Sequence, residues 1–582
     1  TYNTLSLTHA LPHTLMPPAS QLGGIRLLRR DGSYRQPFEV ENANRRMRLE
    51  GLGAPITVSL PTHNEDAAYL FTDGHLKVVS SRQFTPNVPF ECTEGKFTFD
   101  DAPNPFNQMG ALIADNVPLV TSNDYESFLA AFGKRSNFIQ DGKDDDITDD
   151  AYNEALAVIR AFKVPDTWIM WDENPEDRER WLSKFDIHKR KRMETAYSEL
   201  MEINSKDLGR KDLSVKLEVL LKRNDETWAP RVIYAGTDAF NAVTGPVMMV
   251  FMERLVEALE RAPLGVVKVK LAYKTNDVSL VEFLDDPTVP NTYEGDFSAN
   301  DREQRSRVAF LFDEWMCKLM MPQWARTLFL EMDRYTVQNK RFGITAQLKF
   351  QLPTGTTSTT ARNSTYNATM FAVSCARQNV TKAKACVLGD DILARTMQVF
   401  SVVLWKQTVD VDFKMKLKGK NPELNGHSTL LSRRLIIDGD TKCMIPLIGK
   451  ALARFNARAS INEAVSDTQY MAGKALSYAY EFRHVPYLRD FFLQRYEKED
   501  TAAVTLDDLT WFARTSGVDL SNLVQAIRDE KVIVSDDVFL DWLMEVYDIG
   551  LCDIEELFTM VVLNKCPELI THPAVAQLAI DW

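Results

Sequence analysis

The chain has 582 residues, 45% hydrophobic and 26% charged, which is ordinary globular composition with material for a large core and, at roughly 150 residues per domain, about four structural units. Its seven cysteines show no paired short spacings, which excludes a disulfide scaffold and a zinc ribbon and favours reduced thiols in an intracellular setting. A net charge of −13 argues against a general nucleic-acid coat, because neutralising phosphate takes clustered Lys and Arg, yet it leaves room for an enzyme with a locally basic channel.

In chain order, Leu11 to Gly24 carries Pro12, Pro17, Pro18, Gly23 and Gly24 and reads as an irregular arm. The opening residues carry neither a basic n-region nor a long apolar h-region, so secretion is not expected. Gln140 to Asp150 is a dense acidic run, expected as a solvated loop. From Ala151 to Lys206 helix formers and mixed charge predict helices. Between Val215 and Ile436 short β-rich runs alternate with helices. One of these is an amphipathic helix with Val308, Phe312, Trp315 and Leu319 on one face. From Ile448 onward the pattern is mostly helical. Phe539, Trp542, Leu543 and Val546 form one core stripe there, and Ile554, Leu557, Phe558 and Val561 form a second. No run of about 18 apolar residues occurs, so no membrane span is expected. There is no P-loop, no dinucleotide fingerprint and no His pair at metal-binding spacing, and His427 is expected to be structural.

Chemistry concentrates at Gly389-Asp390-Asp391. The apolar runs Ala385 to Leu388 and Ile392 to Ala394 flank it, which predicts a β-hairpin whose turn displays two carboxylates. Upstream, Thr292 to Phe297 reads as a strand carrying Asp296, with Asp301 five positions later. Between them lie Thr354-Gly355, Thr359 and Asn363. A step of four would put Thr359, Asn363 and Asn367 on one face of a helix rich in Thr, Ser and Asn.

The order Asp-x4-Asp, Gly-x3-Thr-x3-Asn, Gly-Asp-Asp resembles motifs A, B and C of viral RNA-dependent RNA polymerases. Thr354 stands where that family usually has Ser, and Leu388 where an aromatic residue is common. Lys222-Arg223, Pro230-Arg231-Val232-Ile233, Asn241 and Gly245-Pro246 are similar to motif F of the tombusvirus-like and nodavirus-like positive-strand group; a double-stranded RNA virus stays open. Phe413 to Lys416 sits where motif D belongs, and Leu431-Ser432-Arg433-Arg434 looks like motif E.

The resemblance implies an α+β right-hand fold. Residues 1–150 would form an N-terminal extension and fingertips, 151–245 fingers, 246–447 a palm of antiparallel sheet flanked by helices with an interleaved fingers segment, and 448–582 a mostly helical thumb. It implies RNA-directed addition of ribonucleotides to an RNA 3′ end, with NTPs, template and product RNA as partners.

Phosphodiester formation needs paired divalent ions held by convergent carboxylates, so Asp296 and Asp390 are the expected ligands, with Asp391 assisting. Two Mg²⁺ ions are expected, with Mn²⁺ as a substitute. The resemblance implies that Asp301 and Asn363 sense the ribose 2′-hydroxyl, with Thr359 beside them, and an acid with an amide can recognise a group that both donates and accepts. Lys222, Arg223 and Arg231 are assigned to the triphosphate. The resemblance also implies that Thr354, Gly355, Ser432 and Arg433 contact template and primer. Lys416 is the candidate general acid, with Lys414 and Lys418 as alternatives.

Other viral replication or capsid proteins are candidate partners, and host cytoplasm or virion interior is the expected location. The rival readings are a reverse transcriptase, which Asp301 and Asn363 disfavour, and a non-enzymatic virion or scaffold protein.

Overall fold

A computed structural model gives the architecture. It describes residues 146–582 apart from 200–207, 222–229, 332, 342–343, 424–425, 439–440, 459–464, 500 and parts of 502–519, together with short pieces between 68 and 136. The arm at 11–24 and most of the acidic run lie outside the described residues.

Helices α1 (Asp149–Ala161), α2 (Pro175–Leu182) and α3 (Ile187–Ser198) fill the stretch read as helical. Strands β1 (Lys211–Val215) and β2 (Val232–Gly236) lead into the long helix α4 (Asp238–Arg261). Then come β3 (Val267–Leu271), α5 (Asp277–Leu284), β4 (Asn291–Ser298), the single turn α6 (Asn300–Glu303) and α7 (Ser306–Lys318). The polar helix α8 (Thr359–Arg377) precedes β5 (Ala383–Leu388), β6 (Asp391–Thr396) and β7 (Lys416–Lys420). A small sheet of β8 (Thr429–Leu430), β9 (Arg433–Asp438) and β10 (Thr441–Pro446) leads to the C-terminal helices. These include α9 (Ile448–Phe455), α10 (Asp467–Glu481), α11 (Pro486–Glu497), α12 (Asp536–Tyr547) and α13 (Leu551–Phe558).

The described end of the acidic run differs from the expected solvated loop. Thr148 caps α1, and Asp149 and Asp150 form its first turn, where carboxylates favour the helix dipole. Asp146 accepts the Arg307 backbone N–H at the start of α7, and Arg307 pairs with Asp149. Opposite charge and helix-end N–H groups, both supplied from a distant segment, explain the ordering.

The central sheet runs β3-β5-β6-β4-β7, parallel between β3 and β5 and antiparallel elsewhere. Alternation gives it two unlike faces. Tyr293, Phe297, Ile392 and Leu417 join the main hydrophobic core with α4, α7 and α8, while Glu294, Asp296, Asp391 and Lys418 line an open cavity. Val308, Phe312, Trp315 and Leu319 are all buried, as their spacing requires. Trp315 also donates to Thr369 of α8 at 3.1 Å, and truncating such a tryptophan costs about 3–5 kcal/mol.

A second core holds the C-terminal helices, with both predicted stripes inside it. Residues 107–113 join this unit through two-residue strand pairings with Ala457–Arg458 and Leu569–Ile570. Asp277 at the start of α5 bonds His484 at 2.7 Å and pairs with Arg483, tying the helical unit to the sheet. The whole is an α+β right hand, with a sheet-based palm flanked by helices and a mostly helical thumb.

Candidate active site

Gly389 and Asp390 connect β5 to β6, with Leu388 opposite Asp391. Gly389 has φ +62, a left-handed conformation that favours glycine, and nothing crowds the place a Cβ would take. The residue is held from both sides by α8. Its N–H donates to Ser364 Oγ at 2.9 Å, and its carbonyl accepts from Asn367 Nδ2. The polar residues of α8 thus fix the turn that displays Asp390.

Asp391 stands directly opposite Asp296 in the β6–β4 pairing, and both line a cavity of about 480 Å³. Asp390 lines a second cavity, of about 320 Å³, with Asp301 and Arg231. Burial, then the charges of Asp390 and Asp296, push the Asp391 carboxyl up to about 7. Burial, then the charges of Asp296 and Asp301, also raise Asp390. Among the described residues none of these three carboxylates forms an ion pair. Three acids that form no ion pair among the described residues and offer only oxygen donors fit divalent cations of the Mg²⁺ class.

In the second cavity Asn363 Nδ2 donates to Asp301 Oδ1 at 2.7 Å, and Thr354 Oγ1 donates to Asp301 Oδ2 at 2.8 Å. Burial raises the Asp301 carboxyl, against the lowering effect of those two bonds. Thr359 and Asn363 line the cavity one helical turn apart on α8. Gly355 has φ +95, and the preceding carbonyl, that of Thr354, accepts the Tyr234 N–H at 2.9 Å, which fastens this loop to β2.

Arg231 also lines the cavity. Its hydrogen bond to Glu218 raises its pKa, and the Glu218 carboxylate grips it through two donors, the Nε bond being 2.7 Å. Lys222 and Arg223 lie outside the described residues.

Lys416 opens β7 opposite Ser298, while Lys418 is opposite Asp296 and lines the Asp391 cavity; Lys414 precedes the strand with φ +57. Ser432 lines that same cavity and accepts from Lys450 Nζ at 2.9 Å. Arg433 faces Glu481 at 3.5 Å. His427, read as structural, faces Glu545 at 3.6 Å, and with Glu423 the three offer ligand atoms within 4.8 Å of one another at the surface.

Arg135 and Lys450 are among the cations near the site that the sequence reading did not single out. Arg135 lines the Asp301 cavity, and its carbonyl accepts from Gln351 Nε2 at 2.8 Å and from the Tyr234 hydroxyl at 3.3 Å. Lys450, from α9, is felt electrostatically by Asp391. No motif or periodicity marks either residue, because only the tertiary fold brings them to the turn.

A family model described as RNA dependent RNA polymerase matches residues 99–516. The chain belongs to that family. The match spans every residue of both cavities. No curated protein matches the chain. This polymerase is therefore a viral RNA-directed nucleotidyltransferase that binds RNA and NTPs, and its family uses divalent metal ions. Membership sets aside the non-enzymatic scaffold reading. No helix among the described residues of the polymerase is long and apolar enough to cross a membrane.

Proposed function

We propose that this polymerase replicates and transcribes a viral RNA genome, adding ribonucleotides to an RNA 3′ end by two-metal phosphoryl transfer. The observation that carries the reading is the register that sets Asp296 opposite Asp391, one residue from the displayed Asp390. Asp296 and Asp390 are the principal ligands of two Mg²⁺ ions, Asp391 assists, and Mn²⁺ substitutes. Bound there, the ions would supply activation of the 3′-hydroxyl and charge stabilisation at the leaving pyrophosphate.

The chain's own groups do the rest. Arg231, with Lys222 and Arg223, grips the triphosphate through paired donors. Asp301 and Asn363 hydrogen-bond the ribose 2′-hydroxyl, so a deoxyribonucleotide forfeits that bond. Lys416 or Lys418 delivers the proton to pyrophosphate, and the register of Lys418 with Asp296 supports the latter. Thr354 and Gly355 guide the template, and Ser432 and Arg433 the primer strand.

Fingers over 151–245, palm over 246–447 and thumb over 448–582 remain the working division, with 1–150 as extension and fingertips. The block from Lys222 to Pro246 supports kinship with the tombusvirus-like and nodavirus-like group. Host cytoplasm or virion interior, alongside other replication or capsid proteins, fits this role.

The test is incubation of the purified chain with primed and unprimed RNA, Mg²⁺ and either NTPs or dNTPs. Template-dependent NTP incorporation is expected. Preference for dNTPs would replace this reading with reverse transcription, and incorporation of neither would overturn it.

A further inference from the structure

We propose that Gln304 is a positioning residue for ribose selection, fixing which end of the Asn363 amide faces Asp301. This rests on the ribose-sensing reading of Asp301 and Asn363.

Gln304 ends α6 in an extended conformation and is fully buried, so it has no access to a substrate in the cavity. Its Nε2 donates to Asn363 Oδ1 at 2.6 Å, while Asn363 Nδ2 donates to Asp301 Oδ1 at 2.7 Å. The three side chains form a polarised relay in which each amide passes a donor toward the carboxylate. Gln304 Oε1 has no partner among the described residues, so the Asn363 bond is what engages this side chain.

An asparagine amide carries a donor at one end and an acceptor at the other, and rotation exchanges them. The Asp301 carboxylate accepts only a donor, which leaves Asn363 Oδ1 turned inward and in need of a hydrogen. Asn363 is itself buried, so no bulk water stands ready to provide one. Gln304 provides it. Without that donor, Asn363 Oδ1 would be left buried and unpaired, and the Asp301–Asn363 pair would lose the fixed arrangement that reads a hydroxyl. Thr354 holds the other Asp301 oxygen, so the carboxylate stays anchored when Gln304 is altered.

The test uses the full chain with primed RNA and Mg²⁺, and compares single-nucleotide kcat/KM for an NTP and its matched dNTP. Gln304→Met removes the donor at similar volume. Gln304→Glu keeps the shape almost unchanged and presents acceptors to Asn363. Each should lower the NTP-to-dNTP ratio about tenfold, chiefly through a higher KM for the NTP. A purely structural role would slow both substrates together and leave the ratio as it was, which would overturn the proposal.

Asn363→Ala is measured alongside. If it collapses the ratio while both Gln304 variants keep it, the Gln304 inference fails and the ribose reading stands. If Asn363→Ala also leaves the ratio untouched, the ribose reading has failed and takes this inference with it.

Discussion

Asp296 and Asp391 face each other across neighbouring strands, one register position beyond the turn that carries Asp390. Carboxylates roughly 5 Å apart repel by about 3 kcal/mol at an effective dielectric near 20. A fold that holds three such groups together, without an ion pair among the described residues, has an electrostatic cost that a bound cation removes.

Asp390→Asn should therefore lower RNA extension by at least about 100-fold, with the melting temperature unchanged or raised. Primer extension and thermal melting on the same preparation measure both. Extension within a few-fold of the native chain would remove Asp390 from the catalytic set.

The Asp391 carboxyl, raised to about 7, predicts a pH effect with a definite sign. Its folded pKa lies above the unfolded value of about 3.9, so stability from this group is full below that value and lost as pH rises through about 7. Metal-free native protein should lose melting temperature between about pH 4 and pH 7, and Asp391→Asn should flatten part of that slope. Mg²⁺ should restore the loss in the native chain. Identical slopes in both proteins would contradict the charge cluster.

The helical stripes at Val308 to Leu319 and at Phe539 to Val561 were legible because burial follows a 3.6-residue period. The hairpin at Gly389 was legible because two apolar strand runs bracket a left-handed turn. Arg135, Lys450 and Gln304 were not, since each reaches the site through tertiary placement that leaves no trace in local spacing. The choice between Lys416 and Lys418 was likewise hidden, because it depends on the register of β7 against β4. The end of the acidic run was misread because its partner, Arg307, lies far along the chain.

Arg135 and Arg231 share the cavity with Asp301, and their like charges lower the pKa of Arg135 beyond what burial already does. With Arg302, three guanidinium groups line this cavity, which suits an anion. Arg135→Gln should raise the KM for NTP about tenfold with kcat changed less than about threefold. Inorganic tripolyphosphate should compete less well in the variant, and unchanged competition would remove Arg135 from the triphosphate site.

At the palm–thumb contact, burial alone would raise Asp277, but the His484 bond and the Arg483 charge outweigh it and hold the carboxyl well below its ordinary value. That stability is present above about pH 4 and lost as pH falls through the lower folded value. Asp277→Asn should cost about 3 kcal/mol at pH 7, with the gap narrowing in acid. Denaturant melts at pH 7 and pH 3 test this, and an equal gap at both would sink the assignment.

The most direct test of the metal reading is Mn²⁺ binding by electron paramagnetic resonance, using the full chain with primed RNA and a non-hydrolysable NTP. The native complex should take up two ions, and Asp296→Asn and Asp390→Asn should each lose at least one. Equal Mn²⁺ uptake by all three proteins would contradict the proposal that these acids converge to hold paired cations.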